Sequence, residues 1–253
     1  MPKKTFLFLL SFLLMALWLP ATSQARPPSV TEELFLQGAR ALKQGDPKLA
    51  EERFSEALRV NPELPEAYIN RGIARMRLEK YVEAVEDFDR AVKLAPKAPE
   101  AFYNRALAYS RSGLYDKAVE DYTRALKFAP KDWQIYYNRG NAYLDQGKAG
   151  EALMDYNQAL KIKPRAPEVY HNRGLAYLAL NDPRRALADF DQVLKLNPNF
   201  ARAVFNKART LEQLGKKPEA IAAYRRFLQT GDPGADAAYL QHSLDRLKVL
   251  EGK

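Results

Sequence analysis

A repeat of 34 residues runs through most of this chain and restricts its fold more than any other feature. Prolines keep this interval at Pro62, Pro96, Pro130, Pro164 and Pro198. Alanines keep it at Ala50, Ala84, Ala118, Ala152, Ala186 and Ala220, and aromatic residues at Phe54, Phe88, Tyr122, Tyr156, Phe190 and Tyr224. Self-similarity at a period of roughly 20–50 residues is typical of repeat proteins. The sequence therefore predicts six repeats, at 31–64, 65–98, 99–132, 133–166, 167–200 and 201–234.

Each repeat has the pattern of two amphipathic helices. In the third repeat, Phe102, Ala106 and Tyr109 lie at i, i+4 and i+7, and the same spacing recurs from Ala118. This spacing places apolar side chains on one face of a helix. A left-handed residue is expected to end the first helix, and four repeats have glycine there: Gly45, Gly113, Gly147 and Gly215.

Small residues recur where the first helix of a repeat is expected to approach its partner closely. These residues are Gly72, Ala106, Gly140, Gly174 and Ala208. The recurring aromatic residue of the second helix is expected to fill the gap between neighbouring repeats. One helix pair cannot cover its own apolar face, so the repeats must stack on one another.

The pattern of a repeat resembles the tetratricopeptide repeat. The segment Tyr136-Tyr-Asn-Arg-Gly-Asn-Ala-Tyr143 carries it most clearly, followed by a glycine, by Ala-x-x-Asp-Tyr-x-x-Ala-Leu and by a proline. The resemblance covers residues 31–234, and the first and last repeats depart from it. It implies an all-α fold, an α-solenoid in the form of a right-handed superhelix of about six helix-turn-helix repeats.

The first 25 residues have the pattern of a secretory signal. Lys3 and Lys4 precede an apolar run from Thr5 to Leu19, and Ala25 ends a segment of small residues suited to cleavage. The run is shorter than the roughly 20 residues that usually span a bilayer, although retention as an anchor stays open. Cleavage predicts an exported protein without stable membrane insertion, in a bacterial periplasm or secreted.

Both flanks of the array have simple predicted roles. Residues 26–30 form a linker in which Ser29 and Glu32 fit a capping box. Residues 235–253 form a capping helix and tail, with an apolar stripe at Ala237, Leu240, Leu244, Leu247 and Leu250. A separate helix for partner binding is the alternative.

Composition argues against catalysis and against metal or cofactor binding. The chain has no cysteine, two histidines and no glycine-rich phosphate loop. Its formal charge is +9, and loss of Lys3 and Lys4 with the signal lowers it to +7. The basic residues are evenly spread, so nucleic-acid binding is not expected. His171 is interpreted as an aromatic replacement and His242 as a solvated residue.

The resemblance implies that the first helices line a concave groove. Asparagine fills one groove position in five consecutive repeats, beside a row of apolar and aromatic residues, and amide groups suit a peptide backbone. A purely structural role for these asparagines stays open. The predicted groove residues are Asn70, Tyr103, Asn104, Tyr137, Asn138, Asn141, His171, Asn172, Arg202, Phe205, Asn206 and Arg209.

Two further patterns concern charge. Some members of the family hold a peptide carboxylate in a clamp of five residues, which Asn141, Asn172 and Arg202 match only in part. Four repeats also pair an arginine with an aspartate 16 residues later, beginning with Arg71 and Asp87. This pattern predicts buried ion pairs, formed either within a repeat or between repeats, with Asp189 and Lys207 as the between-repeat example.

These features favour a non-enzymatic scaffold of the cell envelope that binds proteins or peptides in the groove. A chaperone-like holder of client peptides and a membrane-tethered assembly factor are the alternatives. The sequence also leaves a homo-oligomer open, because the array ends and the final helix are both able to pair.

Overall fold

Helices make up nearly all the regular structure of residues 28–252, which are the residues that the computed structural model describes. The predicted signal at 1–25 and residues 26–27 of the predicted linker lie outside this range. The chain divides into two compact units, with the boundary after Leu114. The all-α class predicted from the sequence is confirmed.

The first unit contains five helices within residues 28–114. Each helix packs against the next one in the chain. Their apolar faces share one core, which includes Phe54, Ile73 and Phe88. The helices are α1 (Val30–Gln44), α2 (Pro47–Val60), α3 (Pro65–Arg77), α4 (Tyr81–Leu94) and α5 (Pro99–Arg111).

The second unit contains eight helices within residues 115–252. Successive helices again pack against one another, and Tyr156, Phe190 and Tyr224 are fully buried between them. The helices are α6 (Tyr115–Phe128), α7 (Trp133–Asp145), α8 (Ala149–Ile162), α9 (Pro167–Ala179), α10 (Pro183–Leu196), α11 (Ala201–Gln213), α12 (Lys217–Thr230) and α13 (Ala237–Glu251).

Helix ends follow the predicted turn chemistry. The capping box is confirmed, since the Ser29 backbone amide donates to Glu32 and the Glu32 backbone amide donates to the Ser29 hydroxyl. The four turn glycines have φ between 72° and 80°. Glu79 and Asn181 take the same left-handed conformation in the two repeats that lack glycine, with φ of 61° and 57°. A side chain is therefore tolerated at this turn, at some cost in strain.

The small residues of the first helices lie against aromatic rings of the same repeat. A Cβ atom built on Gly72 would lie 2.6 Å from Phe88, and one built on Gly140 would lie 2.8 Å from Tyr156. The close approach predicted from the sequence is therefore present. Each of these aromatic rings packs against the glycine of its own repeat. The sequence pattern had predicted that the rings fill the gap between neighbouring repeats.

Three of the predicted arginine–aspartate pairs are seen to form within repeats. Arg71 pairs with Asp87 at 2.6 Å, Arg139 with Asp155 at 2.7 Å and Arg173 with Asp189 at 2.6 Å. The between-repeat alternative is wrong for Asp189, because Lys207 pairs with Asp191 instead. Burial lowers the pKa of the Arg139 guanidinium, but the hydrogen bonds to Asp155 and the negative charge of that carboxylate, with smaller contributions from Tyr143 and Tyr136, together raise that pKa overall.

The same basic residues also bind an acceptor 16 residues earlier, in the preceding repeat. Arg71 donates to Ser55, Arg139 to Thr123 and Arg173 to Asn157. Arg105 and Lys207 form equivalent contacts with Asp89 and Asp191. Each such residue therefore contributes to joining consecutive repeats.

Helix α13 packs on α12. Its buried face differs from the predicted stripe. Ser243 and Leu247 are buried, whereas Leu244 is 44% exposed and Ala237 is also exposed. Arg246 of α13 lies toward the array, where it pairs with Glu212 of α11.

Candidate functional site

The first unit contributes three predicted groove residues, on α3 and α5. Asn70 is 4% exposed and donates to the Glu66 backbone carbonyl at 3.0 Å. Asn104 is also buried and donates to the Glu100 carbonyl at 2.8 Å. Tyr103 is half-buried. Both asparagines therefore donate to the backbone of their own helix, which favours a purely structural role, rather than ligand binding, at these two positions.

In the second unit, α7 and α9 bring a polar cluster together. The Asn172 amide donates to Asn141 Oδ1 at 2.8 Å and to the Tyr137 hydroxyl at 3.1 Å. The Tyr156 hydroxyl also donates to Asn141 Oδ1, at 2.8 Å. Burial raises the pKa of the Tyr137 and Tyr156 hydroxyls, so both stay protonated. Asn138 is half-buried and donates to the Gln134 carbonyl.

His171 extends this cluster to α11. The Asn206 side-chain nitrogen donates to His171 Nε2 at 3.0 Å, so Nε2 accepts and Nδ1 carries the proton. That proton is donated to Asn172 Oδ1 at 3.1 Å. The ring also stacks on Phe200 with centroids 5.0 Å apart, as an aromatic replacement would. Burial lowers the pKa of the imidazole, which favours the neutral form.

Helix α13 covers part of the predicted surface of α11. Phe205 is 4% exposed because the rings of Tyr239 and His242 pack on it, with centroids 4.8 and 5.5 Å away. Arg202 lies 3.5 Å from Asp236, which precedes α13. His242 is exposed, in agreement with its interpretation as a solvated residue, and its ring also packs on Phe205. Arg209 stays exposed, with its guanidinium over the Phe205 ring.

Tyr156 is a member of the cluster that the predicted groove residues do not include, although the sequence contains a signal for it. Tyr156 belongs to the cluster through its hydroxyl, whereas Phe88 and Phe190 occupy the equivalent repeat position without one. A buried tyrosine hydroxyl needs a hydrogen-bond partner. Asn141 supplies it where the phenylalanine repeats have Ile73 and Leu175. Comparison of repeats at these two positions would have found the pair.

Family comparison covers almost the whole array. The model described as "Tetratricopeptide repeat" matches residues 35–99 and 171–238, and further models of the same repeat match residues 99–132, 121–154 and 140–181. The chain belongs to the tetratricopeptide repeat family. Membership rests on the array itself, since these matches begin at residue 35 and end at residue 238.

Solved tetratricopeptide repeat structures share the fold at low sequence identity. A protein from Parabacteroides merdae is 22% identical with a TM-score of 0.72, covering 88% of this chain and 87% of that one. PilF from Pseudomonas aeruginosa is 15% identical with a TM-score of 0.72, covering 85% and 97%. YrrB, described as having an unusual peptide-binding site, is 20% identical with a TM-score of 0.63, covering 78% and 100%.

No curated protein sequence is significantly similar to this chain. Among residues 28–252, no helix has the length and hydropathy that crossing a membrane requires. The same residues contain no group of three or more potential side-chain metal ligands.

Proposed function

We infer that this protein is a non-enzymatic scaffold of the cell envelope that binds segments of partner proteins on its first helices. Membership of the tetratricopeptide repeat family supports a protein-interaction scaffold. The polar cluster of α7, α9 and α11 supports the location of binding. The N-terminal signal pattern supports export to the envelope.

One observation supports the position of the proposed binding surface. Within residues 28–252, the Asn206 side-chain oxygen has no hydrogen-bond partner, although its nitrogen is bonded to His171. The Asn141 nitrogen has two N–H groups, of which Tyr137 accepts one, and its oxygen accepts from Tyr156 and Asn172. Both side chains are half-buried and therefore still accessible. The second N–H of Asn141 and the oxygen of Asn206 match the carbonyl and amide groups of a peptide backbone.

Tyr137 supplies the apolar part of this surface. Its ring lies 6.2 Å from the rings of Trp133 and Tyr156, which hold it in place. A rigid aromatic side chain offers contact area at low entropic cost. An extended peptide segment on this surface would thus contact the Tyr137 ring and the side-chain amides of Asn141 and Asn206.

The substitution Asn141→Asp tests this surface sharply. Aspartate keeps the oxygen that accepts from Tyr156 and Asn172 but replaces the amide N–H donor by an acceptor. We expect affinity purification from envelope extracts to lose the partners that the unmodified protein retains. The substitution Asn157→Asp on α8 is the matched control, because its oxygen accepts from Arg173 away from the cluster. An unchanged set of partners with Asn141→Asp would contradict the proposed surface.

Export has a separate test. Cell fractionation should place the protein in the envelope, and amino-terminal sequencing of the mature chain should begin at Arg26. A chain that keeps residues 1–25 would instead support the membrane-tethered alternative.

A further inference from the structure

In the second unit, the connections from each second helix to the next first helix lie at one edge of the stacked helices. They join α6 to α7, α8 to α9 and α10 to α11, and the joined helices pack on each other in opposite directions. Contacts link these connections to one another. The Lys163 ammonium lies 3.8 Å from the centre of the Trp133 ring, and Arg226 donates to the Pro198 carbonyl at 2.6 Å. Segments 34 residues apart in the sequence are therefore neighbours at this edge.

This edge has a surplus of positive charge. It consists of residues 126–134, 160–168 and 194–202, and is called the basic edge below. These three segments contain seven basic residues and two acidic ones. The basic residues of the chain are evenly spread along the sequence, but the repeat period brings part of them together, because it places equivalent residues side by side.

The opposite edge of the same unit is electrically balanced. There the turns within repeats lie, in residues 143–151, 177–185 and 211–219. These three segments have the same lengths as those of the basic edge and contain five basic and five acidic residues. The surplus charge is thus a property of one edge rather than of the whole unit.

Most cations of the basic edge are available to an external anion. Asp132 caps α7 by accepting from the Gln134 amide, and Glu168 lies 3.6 Å from Lys163. Arg202 faces Asp236. The other five basic side chains are exposed and form no hydrogen bond or ion pair within residues 28–252. They are Lys127, Lys131, Lys161, Arg165 and Lys195.

Exposed apolar side chains lie beside these cations. Phe128 and Ile162 directly follow two of the lysines at the ends of α6 and α8, and they are 44% and 39% exposed. Trp133 is half-buried at the start of α7. Lysine, tryptophan and exposed apolar residues together match the surface of a bilayer, where cations meet phosphate groups and apolar side chains reach the acyl chains. A polyanion in solution would leave the aliphatic Ile162 side chain exposed to water.

We propose that the basic edge binds the surface of an anionic phospholipid bilayer, with Phe128 and Ile162 inserted between the lipid headgroups. Each basic residue close to an anionic membrane surface strengthens binding about fivefold, so the five exposed cations give a substantial attraction together. This attachment is peripheral. It goes beyond the proposed function, because it assigns a membrane to the basic edge and leaves partner proteins on the α7–α9–α11 surface.

Vesicle binding tests the proposal directly. The chain from Arg26 onward contains every described residue and has Trp133 as its only tryptophan. At about 0.1 M salt, we expect it to sediment with vesicles of equal parts phosphatidylglycerol and phosphatidylcholine, but not with phosphatidylcholine alone. Trp133 emission should shift to shorter wavelength with the anionic vesicles only. No binding to anionic vesicles, equal binding to both kinds, or binding without a change in Trp133 emission would each overturn the proposal.

Paired lysine substitutions locate the contact. We expect Lys127→Gln with Lys161→Gln to weaken vesicle binding about 20–30-fold. Lys148→Gln with Lys217→Gln removes the same charge from exposed positions of the opposite edge. That edge lies about 20 Å away, the length of α8, which exceeds the Debye length of about 10 Å, so binding should change less than about twofold. Equal losses in the two double variants would show attraction by net charge alone and would overturn the assignment to this edge.

A DNA duplex separates a membrane from other polyanions. We expect Ile162→Ser to weaken vesicle binding at least about threefold, because it removes apolar surface that the bilayer buries. The same substitution should leave any binding of the duplex unchanged. Duplex binding without vesicle binding, or an equal effect of Ile162→Ser on both, would overturn the membrane assignment.

This proposal and the proposed function fail separately. The vesicles contain no protein partner, whereas Asn141→Asp reports on partner capture. Loss of vesicle binding would leave the scaffold proposal standing, and unchanged capture with Asn141→Asp would leave the vesicle result standing.

Discussion

Replacing Asp155 by asparagine tests whether the arginine–aspartate pairs hold each helix pair together. Asp155 accepts from Arg139 Nη2 at 2.7 Å and from Nε at 2.8 Å, and the two side chains are only 5% and 17% exposed. Leaving one member of a buried pair without its partner costs about 3–5 kcal/mol. Asparagine keeps one acceptor, so we expect a loss of about 2–3 kcal/mol in the free energy of unfolding.

Hydrogen exchange measures this loss locally. Repeat arrays open in parts, so a single unfolding midpoint would average over helix pairs. Amides of α7 and α8 should lose protection in Asp155→Asn, while α12 and α13 should change least. Glu120→Gln breaks the exposed Glu120–Arg124 pair and should cost no more than about 1 kcal/mol. A cost for Asp155→Asn no larger than this control would refute the reasoning.

Three further predictions also concern the free energy of unfolding. Gly140→Ala should lower the free energy of unfolding by about 1–3 kcal/mol, because its Cβ would lie 2.8 Å from Tyr156. A Cβ on Gly150 would meet nothing within 4 Å, so Gly150→Ala should stabilise the protein by up to about 1 kcal/mol. Equal midpoints of the two variants in thermal unfolding would contradict this. Thr123→Val should cost about 1 kcal/mol, because it removes the hydrogen bond from Arg139 together with the bond that the hydroxyl donates to the Val119 carbonyl. The share of the cost that is due to the Arg139 bond should vanish when Arg139 is also replaced, and a double-mutant cycle without coupling would count against that contact. Burial lowers the pKa of His171 in the folded state from its usual 6.5, so the unfolded chain binds more protons and stability falls as pH drops below that value. His171→Phe should therefore reduce the decrease in the free energy of unfolding between about pH 7.5 and about pH 5.5, measured by denaturation at both values. An unchanged pH dependence would show that His171 does not contribute to this decrease.

The site was less predictable than the fold, because repeats that look alike in sequence use their side chains differently. Asn70 and Asn172 occupy the same repeat position, yet Asn70 bonds its own helix and Asn172 bonds Tyr137 and Asn141. The difference depends on partners 31 and 35 residues away on another helix. The position of an asparagine within its own repeat carries no information about those partners.

The sequence by itself determined the helices, their order and their ends. Apolar spacing, the turn glycines and the capping box are local properties, and local backbone chemistry is sufficient to set them. Tertiary structure alone decided that Lys207 pairs with Asp191, that α13 buries Ser243 and exposes Leu244, and that Phe205 is covered while Arg209 is free. These outcomes depend on how neighbouring helices rotate against each other. A rotation of a few tens of degrees exchanges one surface residue for another, because residues three or four positions apart lie only about 40–60° apart around a helix.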